Sequence, residues 1–366
     1  MIGHLQNRDV LSIYIASSNN ADMTNFSEQT EPFKKSPIDT ARNLDLTSTK
    51  DEGNWLEYGF TSLVWVFAFF TVGVLFWISW VIYKDARPAV QEFGLGFLWS
   101  QIWNVGQEKF GALPFIYGTL VSSTVALLLA VPTGLAVAIV TSEDFLPVWV
   151  RSPLGFLIEL IAAIPSVIVG LWGIFVLIPF LLPIQQWLFD HFKWIPLFNS
   201  EPFGPGMLVA GIVLAIMILP TVASISREIL IVIPQELRSA SMSLGATRWE
   251  TIWNVLLPSA GSGILGAVIL ALGRALGETM AVTMVIGNSF QISPSLLAPG
   301  YTIPAILANQ FAEALDKLHV GALMYLALIL FILTLIVNII AMLIVQFIGG
   351  NGIKSMLRPL SSTKGE

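Results

Sequence analysis

The sequence contains no cysteine and very little charge. Of its 366 residues, 11% are Asp, Glu, Lys or Arg, whereas about a quarter is usual in soluble globular proteins. The missing thiols exclude a disulfide framework, a thiolate metal site and a cysteine nucleophile. A net charge of -6 provides no basic surface for nucleic acid, and the three histidines are too scattered to form a metal site. With 55% hydrophobic residues and a mean hydropathy of +0.76, the composition indicates a membrane protein.

Long uncharged stretches of the chain, considered together with its polar and Pro/Gly-rich segments, predict six helices that can cross a bilayer, for which a helix needs about 20 apolar residues. Charged residues delimit these stretches because charge is the most costly group to place in hydrocarbon. The predicted spans lie near residues 60–83, 117–141, 154–182, 206–226, 259–287 and 321–348. The predicted fold class is therefore an all-α, polytopic membrane protein. The polar second half of the uncharged run 279–312 is interpreted as a loop or a re-entrant segment.

Polar tails flank the predicted transmembrane domain, which covers residues 55–350. Residues 1–54 have the composition of a disordered tail without the apolar region of a cleavable signal peptide, and residues 351–366 form a short C-terminal tail. Six spans place both termini on one side of the membrane. If that side is the cytoplasm, the inner segments hold 12 Lys and Arg residues and the outer segments hold 5. This bias predicts cytoplasmic termini.

The most informative polar segment is the elbow, defined here as residues 227–258 between the fourth and fifth predicted spans. Pro234 and Gly245 bracket a short helix, because proline suits a helix N-terminus and glycine suits a left-handed C-terminal cap. Thr247 and Glu250 have the spacing of a capping box that begins a second helix. A surface loop that only joins two spans would carry the same capping signals.

The elbow and the fifth span resemble the permease subunits of ATP-binding-cassette importers. Ser239-Ala-Ser, then Gly245-Ala246 and a later Leu257-Pro258 are similar to the EAA loop of that class. Within the class, residues 245–253 and 272–288 resemble the PstC family of phosphate permeases, and the likeness extends over residues 60–350. One departure is Ser239, which stands where the usual motif has a glutamate.

The resemblance implies the fold of a type I importer permease in a bacterial inner membrane, with the elbow as a cytoplasmic coupling helix. It also implies four partners: a second, PstA-like permease subunit, a PstB-like ATPase dimer, an external PstS-like phosphate-binding protein, and inorganic phosphate. No cofactor is expected. The residues expected to couple the chain to the ATPase are Glu236, Arg238, Ser239, Ala240, Gly245 and Ala246.

Arg274 and Glu278 are charged residues inside the predicted fifth span. Four residues apart, they would share one face of a continuous helix. An arginine at a helix centre costs about 2.5 to 3.5 kcal/mol to insert, so it is expected to face a polar cavity or a partner. A guanidinium group can bind two phosphate oxygens at once. A carboxylate can accept a hydrogen bond only from an oxyanion that carries a proton. Near neutral pH phosphate carries a proton and sulfate does not, so this pair could select phosphate.

The resemblance implies that Arg274, Glu278 and Thr279 line the substrate pathway. The alternative for the charged pair is an intrahelical salt bridge that touches no substrate. Because the chain contains no Walker A motif, ATP hydrolysis is expected on a partner chain, and this chain is expected to be a non-catalytic subunit.

Other functions are compatible with the sequence alone. One is a permease for another oxyanion, such as sulfate or molybdate. A second is an ion-coupled secondary transporter or channel, although the sequence contains no convincing internal repeat of the kind common in such proteins. A third is a membrane scaffold, which leaves the intramembrane arginine unexplained.

Overall fold

The computed structural model describes residues 54–356, and it describes side chains over 58–147 and 149–345. Within these residues the secondary structure is helical, with two isolated backbone bridges and no strand. The all-α prediction is therefore confirmed. The predicted N-terminal tail, apart from its last residue, lies outside the described residues, and so do residues 357–366 of the predicted C-terminal tail.

The α-helices are numbered here in chain order. They are α1 Asn54–Phe93, α2 Leu113–Ser142, α3 Val148–Ala162, α4 Ser166–Trp172, α5 Ile178–Phe192, α6 Met207–Val232, α7 Gln235–Ser243, α8 Arg248–Thr251, α9 Leu257–Gly277, α10 Met280–Val285, α11 Ile303–Gln310 and α12 Lys317–Met356. A π-helical segment, Gly173–Leu177, joins α4 to α5, and another, Ile252–Leu256, joins α8 to α9.

Six helical stretches of the described chain are long and apolar enough to cross a membrane. They are Tyr58–Leu98, Leu113–Ser142, Ser166–Phe192, Met207–Val232, Arg248–Gly277 and Lys317–Val345. Their number confirms the six spans expected from the sequence. The predicted bounds near 117–141 and 206–226 fall close to α2 and α6, and the last helix, α12, continues beyond the predicted span to Met356.

The predicted bounds of the third span, 154–182, are wrong. The predicted range starts inside α3, which ends at Ala162, and the membrane-length stretch starts only at Ser166. Pro165 causes the break, because proline disfavours helical geometry in the residue before it and cannot donate a backbone hydrogen bond. Its own backbone is extended, with ψ at 138°, and α4 begins directly after it.

The predicted bounds of the fifth span, 259–287, are also wrong. The observed span starts at Arg248, because the second helix of the elbow runs into α9 without a break. It ends at Gly277, where the backbone of Glu278 turns extended with ψ at 124°. Glycine has low helix propensity, and the Glu278 carboxylate accepts a hydrogen bond from the Ala281 N–H at 3.4 Å, so the chain restarts as α10.

Both π-helical segments precede a proline at the same spacing. Pro179 follows Leu177 by two residues, and Pro258 follows Leu256 by two residues. Proline lacks the N–H that would continue the α-helical ladder, and a π-turn accommodates that loss without ending the helix. Each span therefore continues through its proline.

Contacts divide the described chain into two units, the first ending at Phe69 and the second beginning at Phe70. In the first unit the side chains of α1 are exposed, and the rings of Trp65 and Phe69 lie 5.8 Å apart. The second unit holds the packed core, which is centred on α6. Small residues let α2 approach α6 closely, as Gly211 does against Val125.

The segment between α10 and α11 is irregular and packs against the start of α6. The Met207 N–H donates to the Ala298 carbonyl at 3.1 Å, and the Leu208 N–H donates to the Leu296 carbonyl at 2.8 Å. These bonds satisfy backbone donors at the N-terminus of α6 that have no partner within the helix. The Gly206 N–H also donates to the Val285 carbonyl at 3.1 Å, which fixes the end of α10 against the start of α6. Residues of α11 are fully buried.

The close packing of α2 generates a stability prediction. A Cβ added at Gly118 would collide with the carbonyl oxygen of Tyr301, whereas a Cβ at Gly261 of α9 would meet no atom within 4 Å. We expect Gly118→Ala to destabilise the fold by about 1 to 3 kcal/mol. Gly261→Ala should be neutral or stabilising by up to about 1 kcal/mol. Thermal unfolding of the detergent-purified variants measures both, and equal midpoints would contradict the packing described here.

Candidate functional site

The elbow consists of two helices joined by a tight turn. The first, α7, ends before Gly245, whose φ of +90° lies in the left-handed region that favours glycine. The capping box expected from the sequence is present: the Thr247 N–H donates to the Glu250 carboxylate at 2.7 Å, and the Glu250 N–H donates to the Thr247 hydroxyl at 3.3 Å. A hydrogen bond between the hydroxyls of Ser241 and Thr251, 2.9 Å long, ties the two helices together.

Arg238 is held inside the chain instead of pointing outward from the elbow. Its guanidinium donates to Glu143 Oε1 from Nη2 at 2.9 Å and from Nε at 3.2 Å, and the two side chains are each 17% exposed. It also donates to the carbonyls of Leu230 and Ile233 at 2.8 and 2.6 Å. These carbonyls end α6, so the cation also complements the negative end of that helix dipole. Arg238 therefore fixes α7 against the ends of α2 and α6.

The opposite side of the elbow is exposed and partly apolar. Leu244 is 91% exposed, and Met242 and Trp249 are also exposed large hydrophobic residues. The hydroxyl of Ser239 donates to the carbonyls of Gln235 and Glu236 within α7, both at 3.1 Å. Of the other residues predicted to couple to the ATPase, Glu236, Ala240 and Gly245 are exposed, and Ala246 is half-buried.

Arg274 is exposed near the end of α9 and lines a cavity of about 660 Å³. Thr221 of α6 and Asn338 of α12 line the same cavity, and Arg274 Nη1 donates to the Thr221 hydroxyl at 3.3 Å. Among the described residues no carboxylate lies within 4.0 Å of the guanidinium. A cation with spare donors thus faces an open space between three apolar helices.

Glu278 and Thr279 lie beyond the end of the helix that carries Arg274. The prediction that Arg274 and Glu278 share one face of a continuous helix is wrong, because α9 ends between them. No ion pair joins the two side chains. The Glu278 carboxylate instead accepts a hydrogen bond from the Ala281 N–H in the first turn of α10. The Thr279 hydroxyl donates to the Gly277 carbonyl at 3.1 Å. The described structure therefore contains no intrahelical salt bridge to neutralise Arg274.

A family model covers both of these regions. The family of binding-protein-dependent transport system inner membrane components matches residues 130–350, which include the elbow, Arg274 and Asn338. The chain belongs to this family. It is thus a membrane transport component.

Curated relatives confirm the narrower resemblance seen in the sequence. A phosphate transport system permease protein PstC from Xylella fastidiosa is 47% identical over 262 residues, which cover 70% of this chain and 80% of the relative. A PstC from Pasteurella multocida is 41% identical over 81% of this chain and 96% of its own length. A probable PstC from Methanocaldococcus jannaschii is 38% identical over 78% of this chain and 91% of its own length.

Three contact residues of the permease were missed from the sequence. Glu143 lies 95 residues before Arg238, so no local pattern links the two. Thr221 and Asn338 reach the Arg274 cavity from different helices. For Asn338 a signal was available, because an amide in the long apolar run of the last span is itself unusual.

The Arg238 contacts generate a prediction for the permease. We expect Arg238→Gln to destabilise it by about 2 kcal/mol, because the substitution leaves the mostly buried Glu143 carboxylate and two helix-end carbonyls without a donor. The matched control is Arg151→Gln. Arg151 pairs with Asp144 at 3.0 Å, but Asp144 is 88% exposed, so this loss should cost about 0.5 kcal/mol or less. Thermal unfolding in detergent compares the two, and a double variant with Glu143→Gln should recover part of the loss. If Arg151→Gln lowered the unfolding temperature as much as Arg238→Gln, the role assigned to Arg238 would be wrong.

Proposed function

We propose that this chain is a transmembrane permease subunit of an ATP-driven phosphate importer. Membership of the transport family and the names of the PstC relatives support this function. The observation that carries it is Arg274, an arginine that has no acidic partner among the described residues and that lines a cavity between apolar helices. A transported anion would supply the negative charge that balances this guanidinium.

The chemistry of the cavity suits a tetrahedral oxyanion. Arg274 presents a planar set of N–H donors, of which one contacts the Thr221 hydroxyl and the others are available to a ligand. As the anion crosses the apolar interior, hydrogen bonds from these donors replace those from its hydration water. Glu278 and Thr279, one and two residues past α9, are assigned to the pathway just beyond the cavity, where a carboxylate accepts from a protonated phosphate oxygen.

The remaining parts of the transporter lie on other chains. The partners are a second, PstA-like permease that completes the pathway, a PstB-like ATPase dimer that supplies the energy, and an external PstS-like phosphate-binding protein. This subunit is non-catalytic. It resides in the bacterial inner membrane with both termini and the elbow in the cytoplasm, as the distribution of Lys and Arg supports.

The elbow is the coupling element of this proposal. Its exposed apolar side, which includes Leu244, docks on the ATPase, and Arg238 on the other side transmits the displacement to α2 and α6. The continuous helix from Arg248 to Gly277 carries the same displacement to Arg274. Glu236, Ser239, Ala240, Gly245 and Ala246 shape the docking side, whereas Arg238 acts as a positioning residue.

The test of the function is ATP-driven uptake in vesicles that contain this chain and its partner subunits. We expect labelled phosphate to accumulate only with ATP, and excess sulfate or molybdate not to compete. In the same assay Arg274→Gln should lower uptake at least about thirtyfold, as expected for about 2 kcal/mol or more lost with one partner of a charged pair. Arg274→Lys should retain part of the activity, because it keeps the charge but loses the bidentate geometry.

The control for this assay is Lys193→Gln, which removes the same charge from an exposed position after α5. It should transport at the wild-type rate. Uptake of sulfate in place of phosphate would assign the chain to another anion, and full activity of Arg274→Gln would remove the arginine from the pathway.

The docking side of the elbow can be tested with two leucines of equal exposure. Leu244 in the elbow is 91% exposed and Leu315, before α12, is 92% exposed. We expect Leu244→Asp to reduce copurification of the ATPase at least about tenfold without lowering the unfolding temperature, because a charge replaces an apolar contact. Leu315→Asp should copurify normally. If both variants failed to copurify with the ATPase, or if both copurified normally, the elbow would not be the docking site.

A further inference from the structure

We propose that Asn338 is a further contact of the transported anion, which it binds together with Arg274. This inference rests on the proposed function, because it takes the Arg274 cavity to lie on the phosphate pathway. It adds a residue from α12, the last helix, to a site otherwise formed by α6 and α9.

The hydrogen bonding of Asn338 is incomplete in the described structure. Its Oδ1 is buried and has no hydrogen-bond partner, and its amide donates to no described residue. A buried polar atom without a partner costs about 1 to 3 kcal/mol, so such atoms are rare unless a ligand or water completes them. The side chain therefore requires an explanation that its own helix does not provide.

A second polar residue of the same helix shows the contrast. The hydroxyl of Thr334, one turn before Asn338, donates to the carbonyls of Leu330 and Phe331 at 2.9 Å. Thr334 is satisfied within α12, as is usual for hydroxyls in membrane helices. Asn338 has no comparable bond to any described residue and lines the cavity that Arg274 also lines.

The carboxamide matches the transported anion in its chemistry. Phosphate near neutral pH presents both unprotonated oxygens, which accept hydrogen bonds, and at least one P–OH group, which donates. An asparagine side chain carries two donor hydrogens and one acceptor oxygen. Because no described group holds the Asn338 carboxamide in one orientation, it can turn its donor or its acceptor toward the anion as the anion moves.

The cavity that Asn338 and Arg274 line also has room for a ligand. Its α9 wall includes Gly266 and Gly273, and a Cβ added to either would meet no atom within 4 Å. The volume of about 660 Å³ exceeds that of a phosphate ion with its first waters, and the wall contains no carboxylate to repel an anion. Arg274 supplies the charge, and Asn338 supplies neutral hydrogen bonds from the opposite helix.

The experiment measures uptake and ATP hydrolysis together in vesicles that hold the complete transporter. We expect Asn338→Leu, which keeps the size but removes the carboxamide, to lower the maximal rate of phosphate uptake about tenfold. The KM for external phosphate should not change, because capture outside the membrane precedes this contact. The number of phosphate ions transported per ATP hydrolysed should fall. Asn338→Gln, which keeps the carboxamide, should recover part of the rate.

Thr334→Val is the matched control, since it removes a polar group from the same helix that does not line the cavity, and it should transport normally. Wild-type uptake by Asn338→Leu would overturn the inference. Equal losses of uptake and ATP hydrolysis, without recovery in Asn338→Gln, would also overturn it, because they would show a structural role. If Arg274→Gln fails while Asn338→Leu works, only this inference is wrong; if the wild-type transporter takes up no phosphate, the proposed function is wrong.

Discussion

The structure depends on the cost of leaving a polar group unpaired in hydrocarbon. Most polar side chains of the spans avoid this cost by bonding to the carbonyl four residues earlier, as Thr119 and Ser122 of α2 do. Arg274, Asn338, Ser123 and Ser226 are among the exceptions, and of these Arg274 and Asn338 face the same cavity. An exception to so strong a rule is best explained by a ligand or a partner chain that removes the cost when it is present.

The same constraint accounts for how the spans tolerate their interruptions. A proline in a lipid-facing helix frees a carbonyl that water cannot reach, and the two π-helical segments before Pro179 and Pro258 absorb that defect within continuous helices. Where the chain does break, the Ile164 N–H donates to the Ile161 carbonyl before Pro165, and the Ala281 N–H donates to the Glu278 carboxylate. The break at Glu278 separates the carboxylate from Arg274, and among the described residues the guanidinium has no acidic partner.

Packed helices connect the elbow to the Arg274 cavity. A single continuous helix runs from Arg248, in the elbow, to Gly277, just past Arg274. At the elbow end, Arg238 connects α7 to the ends of α2 and α6, and α6 in turn carries Thr221 to the cavity. The elbow and the Arg274 cavity are therefore joined by packed helices, and this connection is the route that the proposed coupling uses.

The sequence by itself determined the number of spans, the all-α fold, the glycine turn and the capping box of the elbow, and the family. The spans, the fold class and the two elbow features follow from local composition or spacing, whereas the family follows from the resemblance of the elbow and the fifth span to known permeases. Only the tertiary structure decided that Arg238 pairs with Glu143, that Arg274 has no acidic partner among the described residues, and that Thr221 and Asn338 line its cavity. Those relations join residues that are 53 to 95 positions apart or that lie on separate helices, so they depend on helix packing and on breaks that helical periodicity alone does not locate.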